Sequence, residues 1–187
     1  AFVRNPTEAA RLKRPNIELA VGDFDQPETL DAALQGVDKA FLLTPVAERS
    51  VHWQRAFIEA ARGAGVKHVV KFSGMGADSR TAPELLRLHG ETDDRLRGSG
   101  LPFTILRPNS FHQNILSSVG TIRAQGMFYL PFKNAAQSTV DIRDISAVYF
   151  RSFPALNARS PSPVSTPTHI SSSAAKSSQT PFSSRFA

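Results

Sequence analysis

Residues 66–114 read VKHVVKFSGMGADSRTAPELLRLHGETDDRLRGSGLPFTILRPNSFHQN, and this stretch decides the fold. His68 to Phe72 and Phe103 to Leu106 are short, nearly continuous apolar runs, the pattern of strands buried on both faces. Between them Leu85, Leu86, Leu88 and Leu96 recur at helical spacing, and Gly98-Ser-Gly100 stands where a left-handed helix cap is wanted. Strand, helix, strand of this length makes one right-handed βαβ unit. In sheets built from such units ligands meet the carboxyl ends of the strands, here Ser73-Gly74-Met75 and Arg107-Pro108-Asn109.

The same alternation extends outward. Ala1-Phe-Val-Arg-Asn-Pro6 reads as a strand end and turn, Thr7 to Arg14 as a helical segment, and Ile17 to Val21 as a strand ending in Gly22-Asp23-Phe24-Asp25. Asp25 is placed to cap a helix with Pro27 in its first turn and Gly36 near its end. Lys39 to Leu43 forms the next strand, stopping at Thr44-Pro45. A longer helix after Ser50 sets Val51, Gln54, Phe57, Ile58 and Ala61 on neighbouring positions and closes at Gly63-Ala-Gly65. Beyond Asn114 the pattern gives a helix to about Gln125, short strands at Met127–Phe132 and Thr139–Ile142, and a helix from Ile145 capped by Asp144. The fold class that follows is α/β, a doubly wound parallel sheet.

The chain has 187 residues, no cysteine and a net charge of +6. Disulfide and thiol chemistry are thereby excluded, and a cytoplasmic setting is the expectation. No apolar run approaches the roughly 20 residues of a membrane span. The charge is unevenly placed: residues 1–144 carry 18 basic and 16 acidic side chains, whereas residues 145–187 carry four basic and no acidic ones. A basic face on the folded part is not indicated, so nucleic acid is not an expected partner of residues 1–150. From Ser152 onward 11 of 36 residues are serine and five are proline, a composition that does not bury enough apolar surface to offset its ordering entropy. The expected organisation is a domain over residues 1–150 and a disordered Ser/Pro-rich tail over 151–187.

The pieces FVRNP, GDFDQPETL, FLLTP, VVKFSGMGA, SGLPFTILRPNSFHQN and VDIRDI together resemble the NmrA-like group of atypical short-chain dehydrogenases/reductases, over about residues 1–150. The resemblance implies a Rossmann-like fold, NADP(H) more than NAD(H) as cofactor, a small-molecule substrate and no metal. By it, Arg4 meets the 2′-phosphate of NADP, where a planar, permanently charged fork suits phosphate oxygens. Asp23 and Phe24 form the adenine-contacting turn, Thr44 and Pro45 the wall beside the nicotinamide ribose, and Lys71, Ser73 and Gly74 the floor. Arg107 and Pro108 belong to the cofactor side of the next strand end, and Asn109, Phe111 and Asn114 shape the substrate pocket. Plainer alternatives stand beside several of these. Arg4 also reads as a solvated arginine, Asp23 and Phe24 as turn chemistry, and Ser73 as a loop starter. Lys71 either reaches the cleft mouth or lies at a sheet edge, and Arg107 anchors its loop to backbone carbonyls. Asp141 and Asp144 have a structural, helix-capping task.

Two departures from the group matter. The Tyr-x-x-x-Lys pair that many relatives use for proton donation is replaced by His89-Gly-Glu-Thr-Asp93, which leaves His89 and Ser73 as candidate catalytic groups; the plainer reading of His89 is a surface residue. The resemblance also implies a strand and a Gly-rich phosphate-binding turn ahead of Ala1. The expectation is therefore a fragment of a longer gene product, its tail translated in a shifted frame. Without that central strand of the order 3-2-1-4-5-6, its neighbours must pair directly, leave a gap or borrow a strand. Three functions follow: an NAD(P)H-dependent oxidoreductase of a small carbonyl or quinone-like acceptor, a dinucleotide-sensing regulatory module with a protein partner, or an inactive fragment.

Overall fold

The computed structural model describes residues 1–45, 47–127 and 138–153. The stretch expected as a tail, apart from its first residues, and most of the strand expected at Met127–Phe132 lie outside the described residues. Three parallel strands form the central sheet: β3 (Lys39–Leu42), β4 (His68–Phe72) and β5 (Phe103–Leu106), in the order β3-β4-β5. A second parallel pair joins β1 (Phe2–Val3) to β2 (Ala20–Val21), and a third joins β6 (Ser110–Phe111) to β7 (Thr139–Val140). This is the Rossmann-like α/β arrangement the sequence implied, with β4 at the centre of its sheet. The β1–β2 pair and the β3-β4-β5 sheet are separate: of the three arrangements expected for β1 and β3, direct pairing is not taken.

Side chains alternate across the strands, and the two faces have different coverings. Ala40, Leu42 and Val69 point into a core with Leu30 and Leu34 of α1 (Pro27–Leu34), Phe57, Ile58 and Ala61 of α2 (Ser50–Gly63) and Leu96 of α3 (Glu84–Arg97). Burying each large aliphatic side chain stabilises by roughly 1.5–3 kcal/mol, so this face holds the domain together. Phe41 and Phe72 point the other way, where Tyr149 of α5 (Ile142–Arg151) packs on Phe41 with ring centroids 4.4 Å apart. The β1–β2 ribbon is attached through aromatic packing, Phe2 against Phe24 at 5.4 Å and Phe24 against Trp53 at 6.5 Å.

Several local expectations change. Thr7–Arg14 is a 3-10 turn over Glu8–Leu12, and Ile17–Val21 is a strand only at Ala20–Val21 because Arg14 and Ile17 close a tight antiparallel bridge. Asp25 does not cap α1; its carboxylate accepts from Trp53 Nε1 (2.6 Å) and pairs with Arg49 (2.7 Å), tying the turn to α2. The N-terminal turn of α1 is instead organised by Thr29, whose hydroxyl accepts from the Asp23 N–H and donates to the Gln26 carbonyl. Asp141, not Asp144, caps the last helix, which starts at Ile142. One residue explains the choice: Arg143 donates to the Asp141 carboxylate from its side chain and its backbone N–H, holding it well below the usual carboxylate range. The left-handed residue after α3 is Gly100 rather than Gly98, whereas Gly65 ends α2 in a Schellman motif, Val66 N–H bonding the Ala61 carbonyl. Past Asn114 a 3-10 stretch (His112–Ser118) precedes α4 (Val119–Gln125), closed by left-handed Gly126.

Candidate functional site

The carboxyl ends of β3, β4 and β5 carry most of the residues singled out in the sequence. Lys71 is neither at the cleft mouth nor at an edge. It lies on the middle strand, on the same face as Val69, and is 0% exposed. Its ammonium donates to Asp93 Oδ1 at 2.7 Å, and Asp93, on α3, is also 0% exposed. The other carboxylate oxygen accepts from Ser73 Oγ (2.9 Å) and from Arg107 Nε (3.0 Å) and Nη2 (2.6 Å). Arg107 therefore anchors its strand end to a side chain, not to backbone carbonyls. Complete desolvation lowers the Lys71 pKa, the Arg107 charge adds to this, and Asp93 opposes both.

One carboxylate thus fastens α3 to the ends of two strands. The sequence singled out Lys71, Ser73 and Arg107 separately, and Asp93 only as a substitute for a lysine. The available signal was an acid on the apolar stripe of an amphipathic helix, three residues from Gly90 and from Leu96, both buried.

Around this network the remaining candidates separate into three groups. Arg4 is exposed and, among the described residues, without an ion pair; it borders a shallow hollow shared with Arg11, a second cation that sequence reasoning did not single out. Asp23 accepts from the Asp25 N–H in an Asx turn, and Phe24 is held by Phe2 and Trp53. At the end of β3, Thr44 is buried and accepts from Gln54 Nε2 (2.8 Å), while Pro45 borders a narrow space with Leu85 and His89. Among the described residues the other amide end of Gln54 has no partner, although the residue is 4% exposed. An orphaned polar atom of this kind costs about 1–3 kcal/mol and calls for a physical reason.

At the end of β5 a cavity of about 460 Å³ opens between the strand and α5, with Met75, Leu106, Pro108, Val140, Ile145 and Val148 as its apolar walls. Arg107, Asn109 and Asp144 supply the polar part of its lining. Asn109 bonds Ser138 through its side-chain amide, and Asn114 Nδ2 donates to Ser110 Oγ at 3.3 Å, bracing the loop from behind. Phe111 packs on Phe72 with centroids 6.1 Å apart. Among the described residues no group of three or more His, Asp or Glu is arranged to hold a metal ion, and no helix is long and apolar enough to cross a membrane.

His89 is half-buried rather than a surface residue. Burial lowers its pKa first, the Lys71 charge second, and Asp93 opposes them; His68, next to Lys39, is lowered for the same leading reason. A folded pKa below the unfolded value means that the unfolded chain binds more protons as pH falls below about 6.5. Stability is therefore full above that pH and declines as pH falls through the folded values. Urea midpoints at pH 7.5 and pH 5 are expected to show this loss, and a smaller one in His89→Gln; an unchanged difference in the variant would remove His89 from the account.

Parallel strands with helices between them, carrying polar side chains at their carboxyl ends beside an apolar cavity, define the dinucleotide-binding class of α/β domains. The comparisons narrow this further. The NAD(P)H-binding family matches residues 1–145. The NAD(P)H azoreductase of Xenophilus azovorans is 40% identical over 148 residues, covering 79% of this chain and 52% of that enzyme. Quinone oxidoreductase 2 of Escherichia coli is 36% identical over 131 residues, 68% of this chain and 45% of the relative. The crystal structure of the E. coli NADPH-dependent quinone oxidoreductase with NADPH superposes with a TM-score of 0.62 at 32% identity, over 68% of this chain and 45% of that one. The chain belongs to the NAD(P)H-binding family, in its NmrA-like, atypical short-chain dehydrogenase branch. It spans about half the length of these relatives.

Proposed function

We propose that the protein, in its full-length form, is an NADPH-dependent oxidoreductase acting on a small carbonyl or quinone-like acceptor. The observation that carries this reading is the apolar cavity at the end of β5, which starts at Met75, two residues from Ser73 in the strand-end floor, and has a few polar groups at one side. Small-molecule sites have this character. Arg4 and Arg11, which line one hollow together with Glu8, are the cations assigned to the 2′-phosphate, and this supports NADPH over NADH. When bound, the dinucleotide supplies hydride.

The chain's own residues orient and enclose. The Asp93 network fixes the floor, Asn109 belongs to the cavity wall while Phe111 packs behind it on Phe72, and Thr44 and Pro45 are assigned to the cofactor side. Ser73 directs its proton to Asp93 and Lys71 is sealed away, so neither is placed as an acid. Hydride addition to a quinone leaves a hydroquinone anion whose pKa is near that of a phenol, about 10, and water can protonate it. Acceptors of this kind need no dedicated side-chain acid. The absence of a Tyr/Lys couple on α3 also favours a second reading, a sensor of dinucleotide redox state.

The test is a titration of NADPH and NADH into the 187-residue chain and into the full-length product of its gene, followed by a quinone panel. NADPH is expected to bind more tightly than NADH, and Arg4→Gln with Arg11→Gln to weaken NADPH about tenfold or more while leaving NADH unchanged. Equal affinities would remove the NADPH preference, and dinucleotide binding without turnover of any acceptor would favour the sensor.

A further inference from the structure

Met75 differs in kind from the other apolar walls of the cavity at the end of β5. It is 55% exposed although it belongs to the lining, and its main chain is held on both sides. Its N–H donates to the Pro108 carbonyl at 2.9 Å, which joins the ends of β4 and β5. The Ala77 N–H bonds the Gly74 carbonyl at 3.1 Å, closing a tight turn with Met75 at its corner and left-handed Gly76 next to it. A turn of this kind needs a glycine at that place and fixes where the residue before it points. The side chain alone stays free, with three rotatable bonds and a polarisable sulfur.

Most of the remaining lining is stiff. Ile105 and Pro108 on the strand side, Val140 beside them, and Ile145 and Val148 on α5 are β-branched or ring-closed, with little rotamer freedom. Strand and helix stand across the cavity from one another, so two sides are fixed and the end at Met75 adapts. The volume of about 460 Å³ lies within the roughly 300–1,000 Å³ of sites that enclose drug-sized ligands. A single-ring acceptor would leave wall atoms without contact partners, which forfeits dispersion attraction. A flexible chain of the same bulk would lose rotamer freedom on entering. A rigid fused-ring system avoids both costs. Its faces meet the two fixed sides, and its edge meets the thioether, the part of an aromatic ring that sulfur often contacts.

We propose that the acceptor is a planar aromatic of two or more fused rings, and that Met75 is the specificity-determining residue that sets how wide a ring system is admitted. This rests on the function proposed above and names the acceptor class of its cavity. A lone exposed methionine on a surface needs no explanation. Met75 is not of that kind, because it shares a lining with the apolar side chains of two facing elements and its direction is set by a glycine-dependent turn. Since it follows Ser73 by two residues, the ring edge it holds is the one nearest the strand-end floor.

Phenol, a naphthol and a phenanthrol form a series of increasing ring number that accepts no hydride, so their affinities report fit alone. They are titrated by calorimetry into the NADPH-saturated full-length product of the gene and into its Met75→Ile and Met75→Leu variants, with quinone turnover and a thermal melt of each protein in parallel. Affinity for the unaltered protein is expected to rise with ring number. Met75→Ile, which puts a stiff wall at the adaptable end, is expected to weaken the phenanthrol about fivefold or more relative to phenol. Met75→Leu, of nearly the same volume, is expected to weaken it less, and this contrast stands if Met75→Ile does not fold. A phenanthrol bound no better than phenol, or affinities that change equally for all three ligands in both variants, would overturn the inference and leave the proposed function standing. Turnover of no quinone by the unaltered protein, with the ring series still bound, would remove the proposed function, and with it the reading of Met75 as a wall of the acceptor site.

Discussion

Asp93→Leu is expected to lower the stability of the domain by about 3–5 kcal/mol, the usual cost of breaking a buried ion pair by removing one partner. Since total stabilities of such domains are about 5–15 kcal/mol, the variant should unfold at much lower urea, read by circular dichroism. The reason lies in what remains. Lys71 keeps its place between Val70 and Phe72 at zero exposure, and the acceptor of three donor groups has gone. Lys71→Met combined with Asp93→Leu is expected to recover most of the loss, since neither buried charge then needs a partner. Arg107, 35% exposed at its side chain, can turn to solvent. A double variant as unstable as the single one would mean that the pair matters through packing rather than charge.

The pH dependence gives the same network a second signature. A lysine whose folded pKa lies below its unfolded value binds fewer protons in the folded state, so stability rises with pH between the folded value and about 10.4, the ordinary lysine value. Asp93→Asn keeps the shape and removes the counter-charge that opposes this lowering. The rising part of the stability curve should therefore begin at lower pH in the variant than in the parent chain.

How far the sequence could be read is clearest at these residues. The elements of the βαβ unit were legible because long apolar runs and a helical stripe are local patterns; β4 and β5 begin and end where the runs do. The strand ends were legible as a site for the same reason. Pairing was not. Lys71 in an apolar strand and Asp93 on an apolar helix stripe each look misplaced in isolation, and neither local pattern names the other, 22 residues away. Together they explain one another. The short pieces β1, β2, β6 and β7 have two residues each, too few for periodicity to set their limits, and their ends are fixed by turn contacts such as the Arg14–Ile17 bridge. Asp25 was misread because an acid ahead of a proline-initiated helix is a good local cap, whereas its actual partners, Arg49 and Trp53, lie on the next helix.

Gly90→Ala is expected to destabilise the domain by about 1–3 kcal/mol even though alanine is the better helix former. In an exposed helix interior the exchange would gain up to about 1 kcal/mol. At Gly90 the added carbon would stand 2.4 Å from the Asp78 carbonyl carbon and 2.4 Å from the Ser79 nitrogen. Both are backbone atoms, so no rotamer change relieves the contact, and one of the two segments must move. Overpacking of this kind costs about 1–3 kcal/mol, occasionally more, and here the helix-propensity gain offsets only part of it. The segment at Asp78 is stiff: its carboxylate accepts from the Arg80 and Thr81 N–H groups and the Thr81 hydroxyl. Displacement therefore falls on α3, which carries His89 one residue before Gly90 and Asp93 one turn after it. The stability loss should be accompanied by a weakened grip of Asp93 on Ser73 and Arg107. A domain as stable as the parent chain by urea unfolding would show that the Asp78–Ser79 segment yields instead, and that α3 is not held where the strand-end network needs it by this contact.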